Sequence, residues 1–225
     1  MLAVGCHQAV APAPDAFDPC ARPGAATMVH ATLSPILSGS SATITFPPTS
    51  AGNLSVFMFV QESGADDRPF HALMSTGGFL FEGQFLPQCG RAFQVSGNYL
   101  GQGTTSADVK VGSPGTFQVY ALELAGMASD WPQAVQGIST SSETAEANVP
   151  AANVCQGDVV VSMILGCGDL GALSPADGFM DAGETPSGDL AYTVTTASGT
   201  ISAVWTSTAG PWSAETLVFG PPRSP

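Results

Sequence analysis

Residues 155–167, CQGDVVVSMILGC, decide how the rest of the chain is read. The centre, Val159 to Leu165, is a short apolar run that opens with three valines. Such a run is too short for an ordinary helix and rich in branched side chains, so it reads as a strand buried on both faces. Gly157 and Gly166 bracket it, and a cysteine stands just outside each glycine. An extended segment keeps those cysteines apart. Twelve residues at about 3.3 Å each reach roughly 40 Å, whereas a disulfide needs Cα atoms within about 7 Å. Cys155 and Cys167 are therefore expected not to bond to each other. Their candidate partners are Cys20 and Cys89.

Outward from this strand the pattern stays extended. Leu54–Val60, LSVFMFV, is a second near-continuous apolar run. Ala42–Phe46 alternates apolar and threonine side chains, as a half-buried strand does. Phe79–Phe85 and Ala92–Val95 are weaker strands. Ala107–Val111 and Thr116–Leu124 flank Gly112-Ser113-Pro114-Gly115, a pattern that predicts a hairpin. Met127–Val154 is a long Ser/Thr/Ala-rich excursion, and Gly166–Asp189 a Gly/Asp loop. Leu190–Thr196, Thr200–Thr206 and Trp212–Phe219 form a closing meander. No segment shows helical periodicity over three turns. The expectation is an all-β, antiparallel β-sandwich of jelly-roll or Greek-key type, with about nine strands and little helix. Residues 1–28 form an Ala/Pro-rich tether, 29–220 one sandwich domain, and 221–225 a tail.

Composition narrows the function classes. Charged residues are 10% of the chain, and five Lys plus Arg face eighteen Asp plus Glu, for a net charge of -13. That balance repels a phosphate backbone and excludes nucleic acid as a partner. It equally disfavours electrostatic docking on anionic lipid. No apolar run approaches the roughly 18 residues of a membrane-spanning helix. The five cysteines form no CxxC pair, which excludes a zinc ribbon or a thioredoxin-type motif.

The opening MLAVGC resembles the end of a bacterial lipoprotein signal. Small residues at Ala3 and Gly5 precede Cys6, which would accept the lipid. The charged n-region and most of the apolar h-region are not in front of it, so either the start lies upstream or Cys6 is an ordinary thiol. With Cys6 lipidated, four cysteines remain, enough for two bridges. Over about residues 30–220 the order of segments resembles a recurrent β-sandwich module of secreted and surface-attached bacterial proteins and some phage proteins. AGNLSVFMFV after ITFPPTS, QVYALELAG, GDVVVSMI, LAYTVTTASGTISAVW and PWSAETLVF carry the resemblance. It implies an extracellular or cell-surface protein that is lectin-like or structural rather than catalytic.

Motifs for chemistry are thin. There is no GxSxG elbow, and His71 beside Asp66 and Asp67 comes nearest to a base with its carboxylate, without a nucleophile. Glu123, inside a strong strand, is expected to cap a loop or to pair with an arginine such as Arg91. Calcium is the one cofactor with a place, at Asp177, Asp181, Glu184 and Asp189 in one Gly-rich stretch. Trp131, Trp205 and Trp212 are candidate stacking rings for a glycan or surface polymer, the last two flanking a Thr/Ser/Gly/Pro turn. Three functions follow in order. The first is a non-enzymatic extracellular sandwich for adhesion, glycan binding or envelope structure, reaching a membrane only through a lipid on Cys6. The second is a viral or surface-layer assembly protein that packs against copies of itself. The third is a hydrolase with dispersed carboxylates.

Overall fold

The computed structural model describes residues 20, 24–63, 72–75, 79–86, 89–127, 135–142, 146–149, 151–168, 178–206 and 210–221. Cys6, His71, Trp131 and Asp177 lie outside the described residues, as do most of the tether and the tail. Among the described residues the chain is all-β, with sixteen extended segments where about nine were expected.

The first sheet is built from Thr27–Leu33 (β1), Leu37–Thr45 (β2), Leu54–Gln61 (β3), Ala72–Met74 (β4), Phe79–Leu86 (β5), Arg91–Asn98 (β6) and Ser106–Ala125 (β7). Its main path runs β1-β7-β3-β6-β5, with β2 and β4 also paired to β7. The second sheet takes Val135–Ser142 (β8), Val159–Gly166 (β11), Met180–Thr185 (β12), Gly188–Val194 (β13) and Trp212–Phe219 (β16), in the order β12-β13-β11-β16-β8. Glu146–Asn148 (β9) pairs with Val204–Thr206 (β15), and Ala152–Val154 (β10) with Gly199–Ile201 (β14), as two short ribbons. All of these pairings are antiparallel. The first sheet comes from one half of the chain and the second from the other; in the second half the chain leaves the second sheet for the ribbons at β9 and β10, returns at β11, leaves again at β14 and β15, and returns at β16.

The period-2 alternation of strands explains the continuous apolar runs. In β11, Val159, Val161, Met163 and Leu165 face the space between the sheets. There they meet Leu54, Val56, Met58 and Val60 of β3 and Tyr120, Leu122 and Leu124 of β7. The other face of β11 is covered as well: Val160 packs beneath the β10–β14 ribbon and Ile164 beneath the β9–β15 ribbon. Ser162, between them, receives the indole N–H of Trp205 at 3.1 Å and the hydroxyl of Thr216 at 3.2 Å. The strand read as buried on both sides is buried on both sides. Each such apolar side chain contributes about 1.5–3 kcal/mol when removed from water.

The predicted hairpin is corrected. Residues 106–125 are one strand, β7, whose halves do not pair with each other. The bend is nonetheless at Gly112–Gly115. Thr45 pairs with Ser106, while the Ser50 N–H donates to Glu123 Oε1 at 2.8 Å. Five residues span at most about 18 Å, yet a straight strand from Ser106 to Glu123 would run roughly 55 Å. The chain therefore folds back, and the halves stack through their side chains. Val109 and Val111 from one half join Phe117, Val119 and Ala121 from the other, with Phe57 and Phe59 of β3, in a second core on the outer face of the first sheet. The ladder slips at this place: as β2 goes from Gly39 to Ser41, its antiparallel partner on β7 goes back from Gly115 to Lys110. Pro114, which has no N–H to offer a ladder, sits inside the slip.

Further strands lie where loops were expected. β8, β9 and β10 occupy the excursion and β12 the Gly/Asp loop, and the predicted strand 200–206 divides into β14 and β15. β8 reads VQGISTSS, a polar edge strand without apolar alternation. The ribbons are three residues per strand, too short to show a period.

The cysteines pair as the length of β11 requires. Cys20 bonds to Cys155 and Cys89 to Cys167, with Cα atoms 5.2 and 5.4 Å apart. Cys155 precedes β11 and Cys167 follows it, while Cys20 lies ahead of β1 and Cys89 in the turn between β5 and β6. Both ends of the central strand are thereby tied to the opposite half of the chain, each bridge being worth roughly 2–4 kcal/mol. Alongside the second bridge, the Arg91 guanidinium donates to the Glu62 carbonyl at 3.1 Å and across the sheets to the Gly166 carbonyl.

The fold-back depends on Gly115, where a Cβ would stand 2.0 Å from the Ser63 carbonyl oxygen. Gly115→Ala should lower stability by roughly 1–3 kcal/mol in a urea melt. Gly101→Ala, where the nearest atom to a Cβ is 3.8 Å away, should leave the midpoint unchanged. Equal effects would refute the close approach of the fold-back at Gly115 to the chain at Ser63.

Candidate functional site

Two places on the molecule combine chemistry with shape: an acidic corner and a hydroxyl-lined groove. The corner holds three of the four residues expected to bind calcium. β12 and β13 form a hairpin that sets Glu184 opposite Asp189 and Asp181 opposite Ala191. A bulge between Asp181 and Gly183 turns the Gly183 carbonyl toward the first sheet, where the Tyr120 hydroxyl donates to it at 2.6 Å. The Asp181 carboxylate accepts the Gly183 N–H at 2.6 Å. Glu62, at the end of β3, accepts the Ser187 hydroxyl from the β12–β13 turn. The corner is thus bonded across the two sheets at Tyr120, at Glu62 and at Arg91.

Electrostatics there are one-sided. Asp189 is 2% exposed, and burial pushes its carboxyl up to about 8, helped by the charges of Asp181 and Glu184 and opposed by the Leu190 N–H. Burial likewise raises the Tyr120 hydroxyl, with Asp189, Glu62, Asp181 and Glu184 adding to the effect, so Tyr120 remains a donor. Calcium binding needs several ionised oxygens converging on one point. Here Asp189 is buried, whereas Asp181 and Glu184 are exposed. Among the described residues no three acidic, histidine or cysteine side chains converge to hold a metal. A carboxyl held above its usual range beside further acidic groups is also the make-up of a hydrolytic acid pair. At 2% exposure, however, Asp189 is not presented to a substrate.

The two described tryptophans are corrected from exposed rings to core. Trp205 is 0% and Trp212 3% exposed. Both lie with Ile164, Ala191 and Ala214 between the second sheet and the β9–β15 ribbon. Glu123 caps a loop: its carboxylate receives the Ser50 N–H and, at 2.6 Å, the Asn53 side-chain amide. Its ionisable neighbour is His30, 3.2 Å away, and not Arg91, which serves the corner described above. Glu215 is a further buried carboxyl, unforeseen in the sequence, lying between the sheets near Met58, Val95 and Met163.

The groove was not foreseen either. It has a volume of about 350 Å³ on the outer face of the second sheet. Thr193 to Ala197 form its floor, Gly178 and Phe179 one wall, and Val154, Thr200 and Ile201 the other. Among the described residues nothing in its lining is charged. The lining comes from β10, β13, β14 and the approach to β12, segments scattered over some fifty positions, so no local motif announces it.

A raised folded pKa means that the folded chain holds a proton the unfolded chain releases. The stability contributed by protonated Asp189 is complete below pH 4 and is lost as pH rises from about 4 to about 8. Asp189→Asn should therefore melt above the parent protein at pH 8–9, and the gap should close toward pH 4. A gap that does not depend on pH would show that Asp189 is ionised in the folded corner.

No family model, curated protein or solved structure matches this chain.

Proposed function

We propose that this protein is a non-enzymatic β-sandwich of the cell exterior, serving adhesion, glycan binding or envelope structure. One observation carries the reading: both ends of the central strand are held by disulfides, and such bonds persist in oxidising compartments. Arithmetic supports a surface location. Four of the five cysteines are paired, which leaves Cys6, the residue that the lipoprotein-like opening offers for acylation. The scarcity of charged residues, 10% of the chain, suits a molecule that meets uncharged polymer. The carboxylates of the corner are engaged in structure: Glu62 accepts the Ser187 hydroxyl across the sheets, while Asp181 and Asp189 accept the Gly183 and Leu190 N–H groups within the β12–β13 hairpin.

A second reading, assembly with further copies, is favoured by one feature. Val29, Ile36 and Met180 are 49%, 57% and 50% exposed. Val29 on β1 and Met180 on β12 belong to strands that touch at one corner of the sandwich.

Both readings are tested by incubating the purified protein with bacterial cell envelopes and with insoluble neutral polysaccharides. Sedimentation with one of them, with no release of reducing sugar or peptide, is the expected result. Product release that disappears in Asp189→Asn or Glu62→Gln would establish a hydrolase instead. Light scattering across a hundredfold range of concentration should show a monomer; a ring or lattice would favour assembly.

A further inference from the structure

We propose that the groove beside β13 is a binding site for a neutral glycan, an inference that rests on the reading of the protein as an exterior binding module. Three features of the groove carry it. The first is an open stretch of strand edge. The last pair between β12 and β13 is Met180 with Tyr192, but β13 continues to Val194. At the next residue, Thr195, both backbone groups turn toward β11: its N–H donates to the Asp158 carbonyl, and its carbonyl accepts the Gly157 N–H. Backbone direction alternates along a strand. The N–H and C=O of Val194 therefore point the other way, into the groove, as one fixed donor and one fixed acceptor.

The second feature is the supply of hydroxyls. That of Thr195 is committed to the Cys155 carbonyl and the Asp158 N–H. Thr193, half-buried, and Thr196 and Thr200, exposed, bring three more to the same space. The third is an apolar wall. Phe179 is half-buried, packed on one side against the cores beneath both ribbons, and Ile201 and Val154 stand across from it. A ring with neighbouring hydroxyls and fixed backbone groups matches the two surfaces of a pyranose, its C–H face and its hydroxyl rim. The volume of about 350 Å³ falls within the span of roughly 300–1,000 Å³ usual for small-ligand sites.

Charge and edge length narrow the ligand. Among the described residues the lining holds no cation, and the chain carries -13, so uronate or sulfated polymers are repelled. An extended peptide adding to the edge of β13 is the rival occupant. It needs outward-facing backbone at two or more alternate positions. Tyr192 is already paired with Met180, and the chain bends away at 196–198, so Val194 alone is available.

The test is binding of the purified full chain to immobilised cellohexaose, maltohexaose, xylohexaose, mannohexaose and chitohexaose, with oligogalacturonate and polythreonine peptide beside them. At least one neutral hexasaccharide should bind and oligogalacturonate should not. Phe179→Ala and Thr200→Val should each weaken the binding tenfold or more, and Ile36→Ser, away from the groove, should not. Thr200 is exposed, so its variant stays informative if Phe179→Ala fails to fold. No neutral binding, binding untouched by both groove variants, or preference for the uronate or the peptide would overturn the site. Continued sedimentation with envelopes in that event would sink the groove alone; loss of both would sink the exterior-binding reading as well.

Discussion

The double-sided burial of β11 is the constraint from which the architecture follows. A strand with apolar side chains on alternate faces cannot leave either face wet. One face of β11 is closed by the first sheet, the other by two small ribbons drawn from the chain before and after it. The same demand falls on β3, whose Phe57 and Phe59 face away from the sheet-to-sheet core and are covered by the folded-back half of β7. The outcome is two central sheets with a covering layer outside each. The disulfides flank the two ends of β11, and each links chain segments far apart in sequence.

What could be seen in the sequence was whatever depended on local period or on length. VVVSMIL and LSVFMFV declared central strands because both of their faces are apolar. The separation of Cys155 from Cys167 followed from the span of the strand between them. Arg91, by contrast, reaches two backbone carbonyls, of Glu62 and Gly166, set by tertiary approach, and nothing near it in sequence hints at them. The hairpin expectation located the bend at Gly112–Gly115 correctly. It failed because two strands joined by a turn can lie edge to edge or face to face, and the turn residues are the same in both. The tryptophans show a related limit. A ring beside a Thr/Ser/Gly/Pro turn can cover a core or stand open, and the short ribbon that buries Trp205 and Trp212 has no period of its own to betray it.

Charge is scarce in this molecule, and what is present at the β12–β13 corner is kept compatible by a proton and by hydrogen bonds across the sheets. Tyr120, Ser187 and Arg91 each cross from one layer to the other within that corner. Of the corner carboxylates, Glu62 belongs to the joint between layers, and Asp181 and Asp189 brace the β12–β13 hairpin, while the groove lies on the outer face of the second sheet.

The central claim is that the two ends of one doubly buried strand are bonded to the opposite half of the chain. Peptide mapping of the native, unreduced protein after blocking of free thiols tests it directly. The predicted result is two cross-linked peptide pairs, Cys20 with Cys155 and Cys89 with Cys167, and blocking agent on Cys6 alone unless a lipid occupies it. A bond between Cys155 and Cys167, or both of them recovered as free thiols, would contradict the account.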